Sequence, residues 1–464
     1  MTNTGKETFP LTDGTVYSQR KNFLPFSTPP LEAYTSIMGE EKVERLYRTA
    51  QRLKGRKMLE LNATAQGGGV AEMLFSSIPL LNLLGIEAEW KVIRGNKEFF
   101  ECTKTLHNML QGRKGVFTPE MEQCYVDTII DSANNNLIDY NPDVVLVHDP
   151  QPMGLAHYTE KAGATWLWRC HIDIEETGII ANPNLWTFLA DWTEHYNAAI
   201  FSAAHYIVTR WPLPKFIIPP FIDPLSEKNR GLSREEIDKV LDKYQIDSKI
   251  PIIAQIGRFD PWKGISRTIA AYRQVRKEKK CQLVIAGGLA TDDPEGVRVL
   301  ANVKNLIKND KDIHVLNLEM TNRLENWMEV NALQRAAKVI MQPSTKEGFG
   351  LVITEALWKG KPVIAADVGG IPIQIRDGDT GYFYQTPNET AQMVLYLLEH
   401  PNAARIMGEK GRRYVKEHFL LPDRIADYLM AVEMTLNGAL KKETSTDCIV
   451  SFHPWFKLRK RGGD

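Results

Sequence analysis

Short apolar runs without a polar interruption, VVLV at Val144–Val147 and LVIA at Leu283–Ala286 among them, alternate along this chain with longer amphipathic stretches. A strand that is apolar at every position is buried on both faces. Buried strands separated by helix-length segments define a parallel sheet covered by helices on each side. The alternation comes in two series. The first includes KMLELNA (Lys57 to Ala63), the helical AEMLFSSIPLLNLLG (Ala71 to Gly85), AEWKVIRG (Ala88 to Gly95), DVVLVHDP (Asp143 to Pro150), TWLWRCHID (Thr165 to Asp173), AAIFSA (Ala198 to Ala203) and FIIPPFIDP (Phe216 to Pro224). The second opens at IPIIAQIGRFD (Ile250 to Asp260) and continues through CQLVIAGG, DIHVLNL, KVIMQPS and KPVIAADVGG. The expectation is an α/β protein of two Rossmann-like domains with parallel sheets facing across a deep cleft.

The chain has 464 residues, enough for two or three cores. An extended arm over residues 1–30 is expected to precede a first domain at 31–225 and a second at 226–421, with the charged, proline-bearing stretch from Asp223 to Lys249 as linker. The helical segment from Pro422 onward is not assigned to either sheet by its pattern.

Lys and Arg together number 57, as do Asp and Glu, so the net charge is zero and carries no footprint for nucleic acid. The basic tail KLRKRGGD (Lys457 to Asp464) reads as a solvated end. Cys102, Cys124, Cys170, Cys281 and Cys448 are scattered and odd in number, which fits a reducing compartment better than a disulfide framework. The polar N-terminus lacks the blocks of a signal peptide, and no apolar run approaches the roughly 20 residues of a membrane helix. A cytoplasmic protein with no membrane partner is expected, and a homodimer is compatible with the sequence.

Chemistry is expected where parallel strands end and helices begin, because free N–H groups there point at anions. Gly67, Gly68 and Gly69 lie between the first strand and the first helix, where they make either a tight turn or a phosphate cradle. Arg258 and Lys263, five residues apart after the strand that opens the second series, are either solvated or paired on a diphosphate. Glu347 sits in the turn KEGFG with Gly348, Phe349 and Gly350. Eight residues beyond Glu347, Glu355 falls about one turn into a helix that begins near Leu351. The two carboxylates are either solvated or hold different hydroxyls of one bound molecule. In the first series, His148, Asp149 and Gln151 follow one strand, and Arg169, His171 and Asp173 end another. They suit hydrogen bonding to a polyhydroxyl acceptor, with a satisfied core histidine as the alternative for His171. Their spacing matches no metal motif, so no metal site is expected.

The glycine-rich loop, the Arg/Lys pair and the Glu-seven-residues-Glu motif together resemble retaining nucleotide-sugar glycosyltransferases of GT-B fold. NATAQGGGVAEML, TLHNMLQG, VLVHDPQP, LWRCHID, PPFIDPLSEKN, RFDPWKG, DDPEG and KEGFGLVITEALWKGKPVI are similar to trehalose synthases of the glycosyltransferring type, with trehalose phosphorylases as relatives that share much of the pattern. The resemblance spans about Leu31 to Met430. It implies a donor nucleoside-diphosphate glucose, free glucose as acceptor and no tightly bound cofactor; Mg²⁺ is compatible but not implied. It assigns Arg258 and Lys263 to the donor diphosphate, Glu347 and His171 to the transferred glucose, Glu355 to the ribose and Gly67 to Gly69 to the backbone cradle. His148, Asp149 and Gln151 are candidates for the acceptor side. It further implies that the last helix returns to the first domain. A phosphorylase using inorganic phosphate, and a non-catalytic sugar-nucleotide sensor, are the competing readings.

Overall fold

The computed structural model describes residues 16–17, 29–65, 68–135, 137–138, 140–159, 163–174, 182–209, 211–289, 295–308, 310–318, 322–439 and 448–453. Gly67, most of the expected N-terminal arm, most of the DDPEG motif and the basic tail from Lys457 lie outside the described residues.

The strands are β1 (Val16–Tyr17), β2 (Lys57–Asn62), β3 (Glu87–Val92), β4 (Val144–His148), β5 (Thr165–Cys170), β6 (Ala198–Phe201), β7 (Lys215–Ile217), β8 (Ile252–Ile256), β9 (Gln282–Gly287), β10 (Ile313–Asn317), β11 (Val339–Gln342), β12 (Val363–Ala365), β13 (Tyr382–Phe383) and β14 (Ile449–Ser451). They form two sheets, in the orders β1-β3-β2-β4-β5-β6-β7-β14 and β10-β9-β8-β11-β12-β13. Every pairing is parallel except β1 on β3. Strand order reverses between β2 and β4 in the first sheet and between β8 and β11 in the second. Connections leave in opposite directions at these points, so a crevice opens at the carboxyl ends of the strands.

Alternate residues of each strand feed two cores, one per face. In the first sheet, Leu59, Val145 and Trp168 pack with the helices Lys97–Leu110, Pro119–Asn134 and Pro183–Thr193, while Met58, Leu146 and Leu167 pack on the opposite face. That second core includes Leu421, Ile425, Leu429 and Val432 of the helix Leu421–Leu436. Burying each such side chain is worth about 1.5–3 kcal/mol, which is what draws the last helix across onto the first sheet. The strand expected over Phe216 to Pro224 is shorter than its apolar run, because Pro219 and Pro220 carry no N–H to extend the ladder.

The stretch from Asp223 to Lys249 is not an open tether. It holds the helix Arg234–Lys243, started by a Ser233/Glu236 capping box and buried through Leu241. Asp223 accepts a hydrogen bond from Tyr34 Oη at 3.2 Å. No helix among the described residues is long and apolar enough to cross a membrane.

Candidate active site

Some helices of the chain start on side-chain caps, as Asn96 does for Lys97–Leu110 and Thr386 for Pro387–Glu399. Three helices that start at the crevice have glycine at this position and no side-chain cap: Gly68 before Gly69–Leu83, Gly264 before Ile265–Glu278 and Gly350 before Leu351–Trp358. Their first N–H groups and the positive ends of their dipoles are left for a ligand.

These starts are brought close together. A cavity of about 310 Å³ is walled by Gly68 and Gly69, His171, Arg258, Lys263, the run Glu347 to Leu351, and Glu355. An adjoining cavity of about 180 Å³ is walled by Gly68, Gly69, His148, Asp149, Gln151 and Arg258. The two therefore share the first glycine loop and Arg258. Arg169 lines neither cavity. On β5 it shares the face of Leu167, is only 4% exposed and lies under the last helix, so the expected acceptor role is replaced by that of a buried cation.

The loop after β8 is wound tight by Asp260, whose carboxylate accepts from the Trp262 N–H at 2.8 Å, and by Gln255, which donates to the Lys263 carbonyl at 2.7 Å. The turn aims Lys263 at Glu347, with Nζ at 2.7 and 3.0 Å from its two carboxylate oxygens. Ser344 Oγ donates to the same carboxylate at 3.1 Å. Arg258 is less constrained, at 3.9 Å from Asp260. Glu347 and Glu355 are 9% and 2% exposed, which removes the solvated alternative for both.

Gly350 has φ 84°, the left-handed conformation that glycine adopts without strain. Gly348 is required by proximity: a Cβ there would stand 2.5 Å from the His171 carbonyl oxygen. Tyr206 Oη, from the first domain, donates to the Gly348 carbonyl at 2.9 Å. The Glu347 turn is thus seated directly on the end of β5.

Sequence reading missed Lys228 and Glu72. Lys228 Nζ lies 2.8 Å from Glu72 and 2.9 Å from Glu355, tying the first glycine-capped helix to the third. Burial opposes the charge on Lys228, but Glu355 and Glu72 outweigh it and hold the ammonium above its ordinary range. A lone acid in a helix's first turn reads as dipole compensation, and its partner is 156 residues away, so no local pattern points to the pair.

The first-domain wall carries a different chemistry. Asp149 has φ 62° and accepts the His171 N–H at 2.7 Å. Burial raises its carboxyl to about 7 against the pull of that hydrogen bond and of Arg169. Burial likewise raises Asp173 to about 6 and lowers both His148 and His171. Near neutral pH the two imidazoles are uncharged and Asp149 is only partly ionised, so they act mainly as hydrogen-bonding groups, with Lys104 as a cation on the same side of the smaller cavity.

Two parallel-sheet domains facing across a cleft at the carboxyl ends of their strands make the GT-B fold. In keeping with this, the UDP-forming α,α-trehalose-phosphate synthase from Burkholderia xenovorans, solved with glucose-6-phosphate, superposes with a TM-score of 0.65 at 13% identity, covering 83% of this chain and 100% of that one. Residues 60–208 match the family described as Trehalose synthase, N-terminal domain, and residues 236–414 match Glycosyl transferases group 1. A trehalose synthase from Pyrococcus horikoshii is 45% identical over 404 residues, 86% of this chain and 95% of that protein. The chain belongs to the trehalose synthase family. A trehalose phosphorylase from Pleurotus pulmonarius is more distant, at 27% identity over 88% of this chain and 61% of its own length.

Proposed function

We propose that the protein is a retaining glucosyltransferase that joins glucose from a nucleoside-diphosphate glucose to free glucose, making α,α-1,1-linked trehalose. The observation that carries this reading is the division of labour within one cavity: Lys263, Arg258 and two uncapped helix starts on the second-domain wall, and the neutral His171 beside the third uncapped start on the first. The 45% identity to a named trehalose synthase over 86% of the chain supports it, and makes the phosphorylase reading the weaker one.

As the C1–O bond to the diphosphate breaks, positive charge grows on the sugar ring and negative charge on the departing phosphate. Lys263, held by Glu347 before reaction, and Arg258 stabilise the phosphate most where its charge develops. Glu347, beside Lys263, faces the growing positive charge. A phosphate oxygen on the leaving-group side takes the proton of the acceptor hydroxyl, so attack comes from that same face and the α configuration is kept. Glu355 holds the ribose hydroxyls. The acceptor glucose occupies the smaller cavity, with Asp149 and Gln151 as its hydrogen-bonding partners and the His148 ring as a packing surface.

The test is to incubate purified protein with glucose and, in turn, UDP-, ADP- and GDP-glucose, with and without inorganic phosphate, and to follow products by NMR. Trehalose and nucleoside diphosphate in equal amounts are expected without phosphate. Absence of both products overturns the proposal, and trehalose cleavage that strictly requires phosphate assigns the chain to the phosphorylases instead.

A further inference from the structure

A line of hydrogen bonds runs from the last helix to the cleft. Tyr428 Oη donates to Glu60 Oε1 at 2.9 Å, Glu60 Oε2 lies 2.6 Å from His148 Nε2, and His148 Nδ1 lies 2.8 Å from His171 Nε2. The two imidazole planes are nearly parallel, 11° apart. His171 lines the larger cavity, and its Nδ1 is buried with no hydrogen-bond partner among the described residues. Glu60 and Tyr428 line neither cavity and are fully buried.

The direction of the protons along this line follows from donor and acceptor chemistry. Tyr428 remains a phenol, since burial and then the nearby Glu60 raise it well above its ordinary value, and it can therefore donate. Glu60 already accepts from Tyr428 on Oε1, and as acceptor on Oε2 as well it leaves the proton of His148 on Nε2. Burial, helped by Arg169, outweighs the opposing pull of Glu60 and holds His148 below its ordinary value, so its Nδ1 is a lone pair that accepts from His171 Nε2–H. Burial, Arg169 and His148 in turn keep His171 neutral, and its Nδ1 is left as a bare lone pair.

We propose that Glu60 and Tyr428 are positioning residues that fix His171 in the tautomer whose Nδ1 accepts a hydrogen bond, so that the first-domain wall selects a transferred sugar presenting a hydroxyl at that point. This rests on the glucosyl-transfer reading. A group that can only accept, such as a carboxylate, would face a lone pair there and be rejected.

The decisive variant is Glu60→Gln, whose amide can donate to His148 Nε2 and reverse the whole line, leaving a proton on His171 Nδ1. Tyr428→Phe removes the outermost bond only. Protein labelled with ¹⁵N-histidine, with His148 and His171 assigned by single substitution, is read by imidazole NMR between pH 5.5 and 8 without substrate. The wild type is expected to show both rings neutral and protonated on Nε2, and Glu60→Gln to show His171 protonated on Nδ1. In the same variant kcat for glucosyl transfer should fall about ten- to a hundredfold, the cost of one misdirected buried hydrogen bond. Its thermal transition should remain cooperative, and Tyr428→Phe should lie between it and the wild type. A wild-type His171 protonated on Nδ1, a ring that titrates at an ordinary histidine value, or unchanged tautomers and rate in Glu60→Gln overturns the relay. A protein inert with every donor yet carrying the expected tautomers overturns the glucosyl-transfer reading instead.

Discussion

The two walls of the cleft solve different problems with the same kind of sheet. On the first-domain wall, burial raises Asp149 and keeps His148 and His171 uncharged, and their hydrogen bonds run inward to Glu60 and Tyr428. On the second-domain wall, Lys263 pairs with Glu347 at 2.7 Å beside Arg258, and two helices start without side-chain caps. A neutral polyol needs directional partners that do not attract competing ions, whereas a diphosphate needs positive charge that is already in place. The parallel fold supplies strand ends to both walls, and the residues at those ends decide which is which.

If charge is the business of the second wall, its removal should have the largest consequence. Lys263→Ala is expected to lower kcat about a hundred- to a thousandfold while the KM for glucose changes little, measured by steady-state kinetics. A loss that appeared in the glucose KM instead would mean that the walls are not separate in function.

The contact between the walls is tested by Gly348→Ala. The added Cβ must displace the His171 carbonyl oxygen, 2.5 Å from its ideal position, at a cost of about 1–3 kcal/mol that a thermal melt would show as a lower Tm. An unshifted melt would mean that the Glu347 turn does not rest on β5 in solution.

A smaller effect is expected from Glu355→Gln. It keeps the side chain's shape but loses a charged acceptor, so affinity for the nucleoside diphosphate should fall about tenfold by calorimetry, with glucose binding unaffected.

The smallest effect concerns the first wall. The folded protein raises Asp149 from 3.8 to about 7, so ionisation opposes folding progressively as pH rises through that interval. Asp149→Asn tolerates the left-handed backbone and keeps an acceptor for the His171 N–H. It should raise Tm relative to the wild type at pH 8 and by less at pH 5; an equal difference at both would place Asp149 in an ordinary solvated setting.

The fold and which residues line the cleft were readable before the structure was known, for one physical reason. A parallel sheet puts its ligand groups in the few residues after each strand, and Gly68, His148, Arg258 and Glu347 stand out there against apolar runs. What escaped reading was set by distance along the chain. Tyr428 and Glu60 meet across 368 residues, and Lys228 meets Glu72 across 156. Glu60 did leave a signal: it is an acid in the middle of the strand MLELN, and a charge in a strand buried on both faces requires a partner. Arg169 failed in the opposite way. The sequence puts it near a strand end, and only the packing of the helix Leu421–Leu436 turns it from a cleft residue into a buried counter-charge.

The division between the walls is tested most directly by crystals soaked with glucose and with UDP, ADP or GDP in turn. The account predicts the diphosphate within hydrogen-bond reach of Arg258 and Lys263, with glucose against His148, Asp149 and Gln151. A diphosphate bound on the first-domain wall, or anywhere remote from Lys263, would contradict it.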